Sequence, residues 1–237
     1  MDVLNAIKNR RSIRKYKDTD VPLDLIGAVI EAAQYAPSSG DLQSWKFVIV
    51  KEKGQKEAIA ESCSEQYWVA EAPAIIVVVA DEDKNSKFYG IRGEKLYSIQ
   101  NCAAAIENLM LAAEELELGT CWVGAFDERR ISSICSIPES ARAQAIITLG
   151  FPDEIPKKKQ IQPLERVIGL GRYGNPIGDT AAWRWDWSSI IEKNVKSAKK
   201  DISTVLKENL EDHRKSLGKA FDKFKKKLDE RIKRPRM

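Results

Sequence analysis

Histidine is almost absent from this sequence. Among 237 residues only His213 is a histidine, and it lies in the lysine-rich C-terminal part. Ser-His-Asp hydrolysis, Cys-His proteolysis and multi-histidine zinc centres all need a well-placed imidazole. The sequence therefore argues against these three kinds of site. No second ligand is spaced near His213, so we expect it to have a structural role and predict no metal site.

Cysteine and long apolar runs are also scarce. The cysteines show no CxxC spacing and follow no secretory leader; they are Cys63, Cys102, Cys121 and Cys135. This pattern predicts reduced, packed thiols and a cytoplasmic location. No apolar run approaches the roughly 20 residues of a membrane-spanning helix, so none is predicted.

Positive charge is distributed unevenly along the chain. The formal net charge is +4, but residues 180–237 hold 17 Lys and Arg against 9 Asp and Glu, a surplus of eight. The first 179 residues then hold 22 basic and 26 acidic residues, a net charge of −4. We therefore expect a folded domain over residues 1–179 and a basic tail over residues 180–237.

Hydrophobic periodicity predicts layers of helices and strands. Apolar residues at three- and four-residue steps predict helices over 2–9, from Pro22 to before Pro37, and over 94–118, with Gly119 as the last helix's stop. Short continuous apolar runs predict strands over 47–50, 74–80 and 145–149. Because these runs do not alternate, we expect layers covering both faces of the sheet, in an α/β or α+β domain.

The first candidate site is a cluster of arginines near the N-terminus. Arg10, Arg11, Ser12 and Arg14 place three guanidinium groups and a hydroxyl within five residues. Guanidinium groups offer forked donors that match phosphate oxygens. An extended backbone would project Arg10, Ser12 and Arg14 to one side, around a single anion. The alternative is a solvated helix end whose basic residues favour the helix macrodipole.

Two further segments have the composition of ligand-binding loops. Segment 36–45 carries small donors and a glycine; its candidate residues are Pro37, Ser38, Ser39, Asp41 and Gln43. Segment 119–127 has two glycines around a tryptophan; its candidate residues are Trp122, Val123, Gly124 and Ala125. A plain turn is the alternative for the first segment, and a packed core strand for the second.

The order of these motifs strongly resembles the FMN-dependent nitroreductase family. The resemblance covers roughly residues 2–173 and rests on RRSxR, APSSGxxQxW, the block YSIQNCAAAIENLMLAAEELELGTCWVGAFDE, IITLGFPDE and KKKQIQPLERVI. It implies a homodimer of α+β subunits, each with a central mixed sheet flanked by helices, with FMN at the subunit interface. It also implies a ping-pong oxidoreductase in which NADH or NADPH supplies electrons for nitroaromatic, quinone or flavin-type acceptors. Flavin N5 would carry the chemistry, so no catalytic side chain is expected.

The resemblance assigns roles to residues in the first two motifs. Arg10, Ser12 and Arg14 match positions that hold the FMN phosphate, ribityl chain and pyrimidine edge, and Arg11 is adjacent to them. The second motif matches the loop that the partner subunit offers to the same flavin; its matching residues are Ser38, Ser39 and Asp41, with Pro37 and Gln43 beside them.

The later motifs are assigned in the same way. Gly124 matches the position whose backbone N–H points at flavin N5, with Trp122, Val123 and Ala125 beside it, and Lys159 matches a phosphate-binding lysine. The sequence departs from the family at two positions, because Asp41 stands where Asn is usual and Ile161 where many members have a phosphate-binding Arg. The candidates to replace that Arg are Lys158, Lys159 and Arg172.

The tail falls outside most of the resemblance. Its apolar residues recur at helical spacing through residues 191–232, which predicts a long amphipathic helix with a basic face. Packing on the dimer, binding to a membrane surface, and binding an acidic partner stay open, with nucleic acid the least favoured. Two alternatives to the main function also stay open: a dehalogenating or flavin-fragmenting relative, and a non-catalytic FMN-binding sensor or membrane-tethered scaffold.

Overall fold

The computed structural model describes residues 3–176, so the tail predicted over 180–237 lies outside the described residues. The chain up to Gln160 belongs to one compact unit, and the residues from Ile161 onward belong to a second. The helices of the first unit are α1 (Val3–Asn9), α2 (Leu23–Gln34), α3 (Lys53–Ser62), α4 (Trp68–Glu71), α5 (Glu82–Arg92), α6 (Ser98–Glu115) and α7 (Glu128–Ile134). The strands are β1 (Trp45–Val50), β2 (Ala74–Asp81), β3 (Gly119–Val123) and β4 (Ala141–Gly150).

The second unit is described only up to residue 176. It contains a 3-10 turn over Leu164–Arg166 and an isolated bridge between Gly169 and Pro176. The amide of Leu170 donates to the Asn175 carbonyl at 2.9 Å and closes the chain into a tight loop.

The four strands form one sheet in the order β1-β2-β4-β3. The family resemblance implies a mixed sheet, but every pairing between the described strands is antiparallel. β1 and β2 are antiparallel, and Val50 at the end of β1 pairs with Ile75 near the start of β2. The segment that connects them therefore begins and ends at the same end of the sheet and does not cross it. Within the described residues, the one parallel pairing is an isolated bridge between Ser12 and Thr120. The α+β class is confirmed, and the sheet is antiparallel rather than mixed.

Both faces of the sheet are buried, as the continuous apolar runs predict. On one face, Ile76 and Ile147 pack in a cluster with residues of α2 and α6. On the other face, Ile75 and Ile146 pack with residues of α3 and α7. All three predicted strands and the first two predicted helices are confirmed.

The long helix ends earlier than the sequence predicts. A π-helical turn covers Gly93–Tyr97, α6 covers Ser98–Glu115, and Glu117 adopts a left-handed φ of 59°. The Leu118 amide then donates to the Ala113 carbonyl at 2.8 Å, which closes the helix end. Gly119 is therefore the first residue of β3 and does not stop the helix.

The thiols lie in the core, in line with the prediction of packed cysteines. All four cysteines, each within the described residues, are unpaired, and Cys63, Cys102 and Cys121 are buried. Burial raises the pKa of the Cys63 thiol to about 11 and that of Cys102 to about 12. Across residues 3–176, no helix combines the length and the apolar character needed to span a membrane.

Candidate functional site

The N-terminal arginine segment, residues 10–16, runs beside the edge strand β3. Ser12 forms a parallel bridge with Thr120, and the Ile13 amide donates to the Thr120 carbonyl at 2.9 Å. Gly119 is required at the start of β3, because a Cβ there would lie 2.8 Å from the Ile13 side chain. The segment is therefore extended along a rigid sheet edge, as the one-sided arrangement of Arg10, Ser12 and Arg14 requires.

Three side chains of this segment act electrostatically on Cys121 in β3. Burial raises the pKa of the Cys121 thiol, and Arg14, a hydrogen bond with Ser12, and Arg10 oppose that rise in this order. Arg14 also stacks over the Trp68 indole, with its guanidinium carbon 5.6 Å from the ring centroid. No sequence pattern singled out Trp68. Arg10, Ser12 and Arg14 thus all lie close enough to Cys121 to affect its thiol, while Arg10 also reaches α6 and Arg14 reaches α4.

Arg10 is the least satisfied member of this group. Its Nε lies 3.8 Å from a carboxylate oxygen of Glu107 in α6, beyond hydrogen-bond distance. The same Nε is buried and has no hydrogen-bond partner among the described residues. A buried guanidinium N–H without an acceptor is costly, so the position suits an anionic ligand.

Arg11 serves a different purpose from its neighbours. Its guanidinium donates to the carbonyls of Lys8 and Arg10, at 2.7 and 2.8 Å, where α1 ends. This is the helix-end role that the alternative interpretation offered for the cluster. Arg11 and Lys158 line a separate cavity of about 400 Å³, together with Glu114 and Glu154.

The two remaining basic candidates belong to different units of the chain. Lys159 is exposed in the irregular stretch that leaves β4. Arg172 belongs to the second unit, where its carbonyl accepts a long hydrogen bond from the Asn175 amide at 3.4 Å.

The second candidate segment, which we call the serine loop (residues 37–43), is tied to α6. The Ser39 amide donates to Asn101 Oδ1 at 2.9 Å. Ser38 Oγ accepts from the Gln43 amide at 3.0 Å, and Gln43 Nε2 donates to Asp41 Oδ1 at 3.0 Å. Pro37, Gly40, Asp41 and Gln43 are exposed, so the loop presents a polar surface rather than a buried plain turn.

The serine loop and the arginine segment meet α6 at different places. Asn101 holds the loop, whereas Glu107 lies against Arg10. Six residues separate these two positions, which corresponds to about 9 Å of helix rise and to different sides of the helix.

The third candidate segment is partly a strand and partly an exposed corner. Trp122 is 40% exposed at the end of β3, whereas the Val123 side chain is buried in the core and offers only its main chain. Gly124 and Ala125 are exposed just beyond the strand. A Cβ on Gly124 would meet nothing in the described residues nearer than Trp122 Nε1, at 3.7 Å. The corner is therefore open to an approaching planar group.

A buried polar network under the serine loop was also not predicted from the sequence. Asn101, Ser44 and Asn85 are buried, and the side-chain amides of both asparagines donate to Ser44 Oγ. The signal available was a polar residue on the buried stripe of α6, because buried polar side chains need partners. As for metals, residues 3–176 contain no group of three potential ligands.

With this geometry in place, comparison with known proteins identifies the class. The sequence profile of the nitroreductase family matches residues 7–71 and 60–151. A protein of Methanothermobacter thermautotrophicus named for NADH dehydrogenase and NAD(P)H nitroreductase activity is 38% identical over 171 residues, covering 70% of this chain and 86% of its own. The chain therefore belongs to the nitroreductase family, and the resemblance inferred from the motifs is confirmed.

Other members show the range of names within the family. An FMN reductase [NAD(P)H] of Bacillus subtilis is 28% identical, over 73% of this chain and 75% of its own. An iodotyrosine deiodinase of Thermotoga neapolitana is 25% identical, over 68% and 92%. The solved structure of an FMN-dependent nitroreductase from Clostridium difficile superposes with a TM-score of 0.62 at 27% identity, over 72% and 99%.

Proposed function

We propose that this chain is an FMN-dependent oxidoreductase that takes electrons from NADH or NADPH. The observation that carries the proposal is the pairing of the segment that bears Arg10, Ser12 and Arg14 with β3, where the Ile13 amide donates to the Thr120 carbonyl at 2.9 Å, two residues before the exposed Trp122. Membership of the nitroreductase family and the FMN-dependent structure at 27% identity support the same cofactor.

The residues present fit FMN. The buried Nε of Arg10 lacks an acceptor within the described residues, and a phosphate or pyrimidine oxygen would supply one. Arg14 and Ser12 supply a further guanidinium group and a hydroxyl on the same short segment. The open corner at Gly124 leaves room for a planar ring system against the main chain.

In this proposal different segments hold different parts of FMN. The phosphate, ribityl chain and pyrimidine edge would be bound by Arg10, Ser12 and Arg14, and N5 would lie near the Gly124 N–H. Lys159 is the proposed additional phosphate ligand. When bound, FMN supplies the hydride-transfer chemistry, and the protein supplies orientation and charge.

The chain's own residues act by binding and by electrostatics rather than as acids or bases. The described residues contain no histidine, and burial raises the pKa of the Cys121 thiol, so this sulfur stays protonated at neutral pH. The guanidinium groups of Arg14 and Arg10 favour negative charge on a group bound beside them. Donor and acceptor would use the open face at Gly124 and Ala125 in turn, which corresponds to a ping-pong cycle.

A second copy of the chain completes the proposed site. Within one chain the serine loop and the arginine segment contact α6 about 9 Å apart, so a neighbouring subunit is the proposed source of Ser38, Ser39 and Asp41. An apolar groove of about 540 Å³ lies between α1, α2 and α6, and Val3 and Tyr35 are highly exposed beside it. This surface suits a homodimer interface.

The test is an absorbance spectrum of the purified full-length protein, followed by anaerobic titration with NADH and with NADPH. We expect a flavin spectrum that is bleached by at least one nucleotide. Steady-state assays with a nitroaromatic, a quinone and free FMN would then identify the acceptor class. A protein that neither carries nor binds FMN would contradict the proposal.

The same assays separate the remaining alternatives. Reduction by nucleotide followed by release of iodide from an iodinated phenol, without nitroaromatic or quinone turnover, would indicate a dehalogenating enzyme. Tight FMN binding without nucleotide oxidation would indicate a sensor. Parallel lines in double-reciprocal plots of donor against acceptor would support the ping-pong order.

A further inference from the structure

The serine loop has a backbone that its own sequence does not favour. Gly40, Asp41 and Gln43 adopt φ values of 56°, 55° and 48°. Two of these residues carry a Cβ, and L-residues occupy the left-handed region at an energetic cost. Such conformations persist when the surrounding structure determines them. Hydrogen bonds from the Asp41 and Leu42 amides to the Ser38 and Ser39 carbonyls hold part of the loop, and a contact from outside the loop adds to them.

The side-chain amide of Asn101 provides this contact by bonding both ends of the loop. Its Oδ1 accepts the Ser39 amide at 2.9 Å and the Ser39 hydroxyl at 3.2 Å. Its Nδ2 donates to Ser44 Oγ at 3.1 Å, just after the loop. One buried amide, 3% exposed, thus joins residues 39 and 44 across the left-handed stretch.

Ser44, at the far end of this bridge, is also held by Asn85 of α5. Asn85 Nδ2 donates to Ser44 Oγ at 2.7 Å, and the Ser44 carbonyl accepts the Asp81 amide at 2.7 Å. Ser44 and Asn85 are both fully buried. A side chain at Gly93 would collide with the Asn85 carbonyl, so the turn before α6 packs directly on this network. Buried polar networks of this kind restrict the conformations available to the segments they join.

We propose that Asn101 is a positioning residue for flavin binding: its amide clamps the serine loop in the left-handed conformation that presents Ser38 and Asp41 to FMN. This inference rests on the proposed function. Asn101 acts through the loop and does not touch the flavin. The Ser39 hydroxyl proton is committed to Asn101, so Ser39 belongs to the clamp, whereas the Ser38 hydroxyl forms no donor bond within the described residues.

The test compares Asn101→Ala with Gln55→Ala in the full-length protein. Gln55 is a matched control because it also carries a side-chain amide, whose Nε2 donates to the Ile134 carbonyl of α7 at 3.2 Å, away from the loop. Ser44→Ala removes the oxygen that accepts from both Asn101 and Asn85 and serves as a second variant. Amide hydrogen exchange over residues 38–44 is measured without added FMN, and the FMN dissociation constant is measured by titration.

We expect exchange over residues 38–44 to be about 10-fold faster in Asn101→Ala and FMN binding about 10-fold weaker, the size of effect that the loss of one or two hydrogen bonds produces. Gln55→Ala should leave both unchanged. Ser44→Ala should move both in the same direction, and the double variant with Asn101→Ala should show less than the sum of the two single effects, because the two changes break one shared hydrogen bond.

Two outcomes would overturn the proposal. One is exchange over residues 38–44 that is the same in Asn101→Ala and Gln55→Ala. The other is faster exchange with unchanged FMN affinity, since the loop conformation would then not matter for the cofactor. If the wild-type protein binds no FMN, the proposed function fails, and the exchange comparison alone decides whether Asn101 holds the loop.

Discussion

The arginine segment and the serine loop are held in place by different means. The arginine segment lies along β3, with a main-chain hydrogen bond from Ile13 to Thr120. The serine loop has no strand partner and depends on the side-chain amide of Asn101. In the arginine segment the Arg10 Nε is consequently left without a hydrogen-bond partner among the described residues and is available to a ligand. In the serine loop some of the side-chain hydrogen bonds hold the loop itself.

The largest effect on FMN affinity should come from Arg10, in the arginine segment that main-chain bonding holds on β3. Arg10→Ala removes a charge-assisted hydrogen bond to the anion, worth roughly 1.5–3 kcal/mol. That corresponds to about 10- to 150-fold weaker FMN binding, which a fluorescence titration would measure.

Arg11→Ala is the matched control for that change. It removes the bonds to the Lys8 and Arg10 carbonyls at the end of α1, on the other side of the segment. We expect its FMN affinity to stay within a few-fold of wild type. Equal losses in both variants would mean that the two sides of the segment are not distinct.

The second prediction tests the close packing of the Ile13 side chain against Gly119, where the arginine segment lies on β3. In Gly119→Ala the new Cβ would lie 2.8–2.9 Å from the side chain of Ile13, which is almost fully buried. Overpacking of this kind costs about 1–3 kcal/mol in the free energy of unfolding, measured by urea denaturation.

Gly27→Ala in α2 is the comparison for this substitution. Its Cβ would have nothing from the described residues within 4 Å, so the greater helix propensity of Ala should leave the protein as stable as wild type or stabilise it by up to about 1 kcal/mol. A Gly119→Ala protein as stable as Gly27→Ala would show that the segment can move away from β3 at little cost.

A smaller effect should separate the two serines of the loop. Ser38→Ala removes a hydroxyl whose proton is uncommitted within the described residues, and a neutral hydrogen bond of about 0.5–1.5 kcal/mol corresponds to roughly 2- to 10-fold in FMN affinity. Ser39→Ala removes a bond to Asn101 but keeps the Ser39 amide contact. We expect Ser39→Ala to increase hydrogen exchange in the loop more than Ser38→Ala does. The reverse order would contradict the division of roles between them.

The smallest effect concerns the cavity on the Arg11 side. Burial raises the pKa of Glu114 above its usual value of 4.5, and Arg10 and Arg11 only partly oppose this. The folded state then binds the proton more tightly than the unfolded state, so this group's contribution to stability falls as the pH rises from 4.5 through the folded pKa. Glu114→Gln should remove that fall, as seen by urea denaturation across this pH range. An unchanged pH slope would indicate that the group is solvated in the folded state.

The sequence predicts the layers and the arginine segment well, because both follow from local patterns. Continuous apolar runs identify strands that are buried on both faces, and the alternation of an extended chain places Arg10, Ser12 and Arg14 together. The motif order identifies the family. These features depend on short-range spacing and are visible in a single sequence.

Features that depend on contacts between distant residues were missed or misplaced. Gly119 looked like a helix stop, but its role is set by Ile13, more than 100 residues away in the chain. Asn101 was not singled out by any sequence pattern, because its bonds to Ser39 and Ser44 depend on how the loop folds back onto α6. Arg11 is the same residue type as Arg10 and Arg14, and only its hydrogen bond at the end of α1 shows that its role differs from theirs.

The burial of the native thiols makes the protein convenient to label. Burial raises the pKa of all four cysteines, so each remains mostly the unreactive thiol at neutral pH. A cysteine introduced at an exposed position such as Lys46 would therefore react with a maleimide probe well ahead of the native ones. Distances across the proposed dimer could then be measured by fluorescence or spin labels without first deleting any natural cysteine.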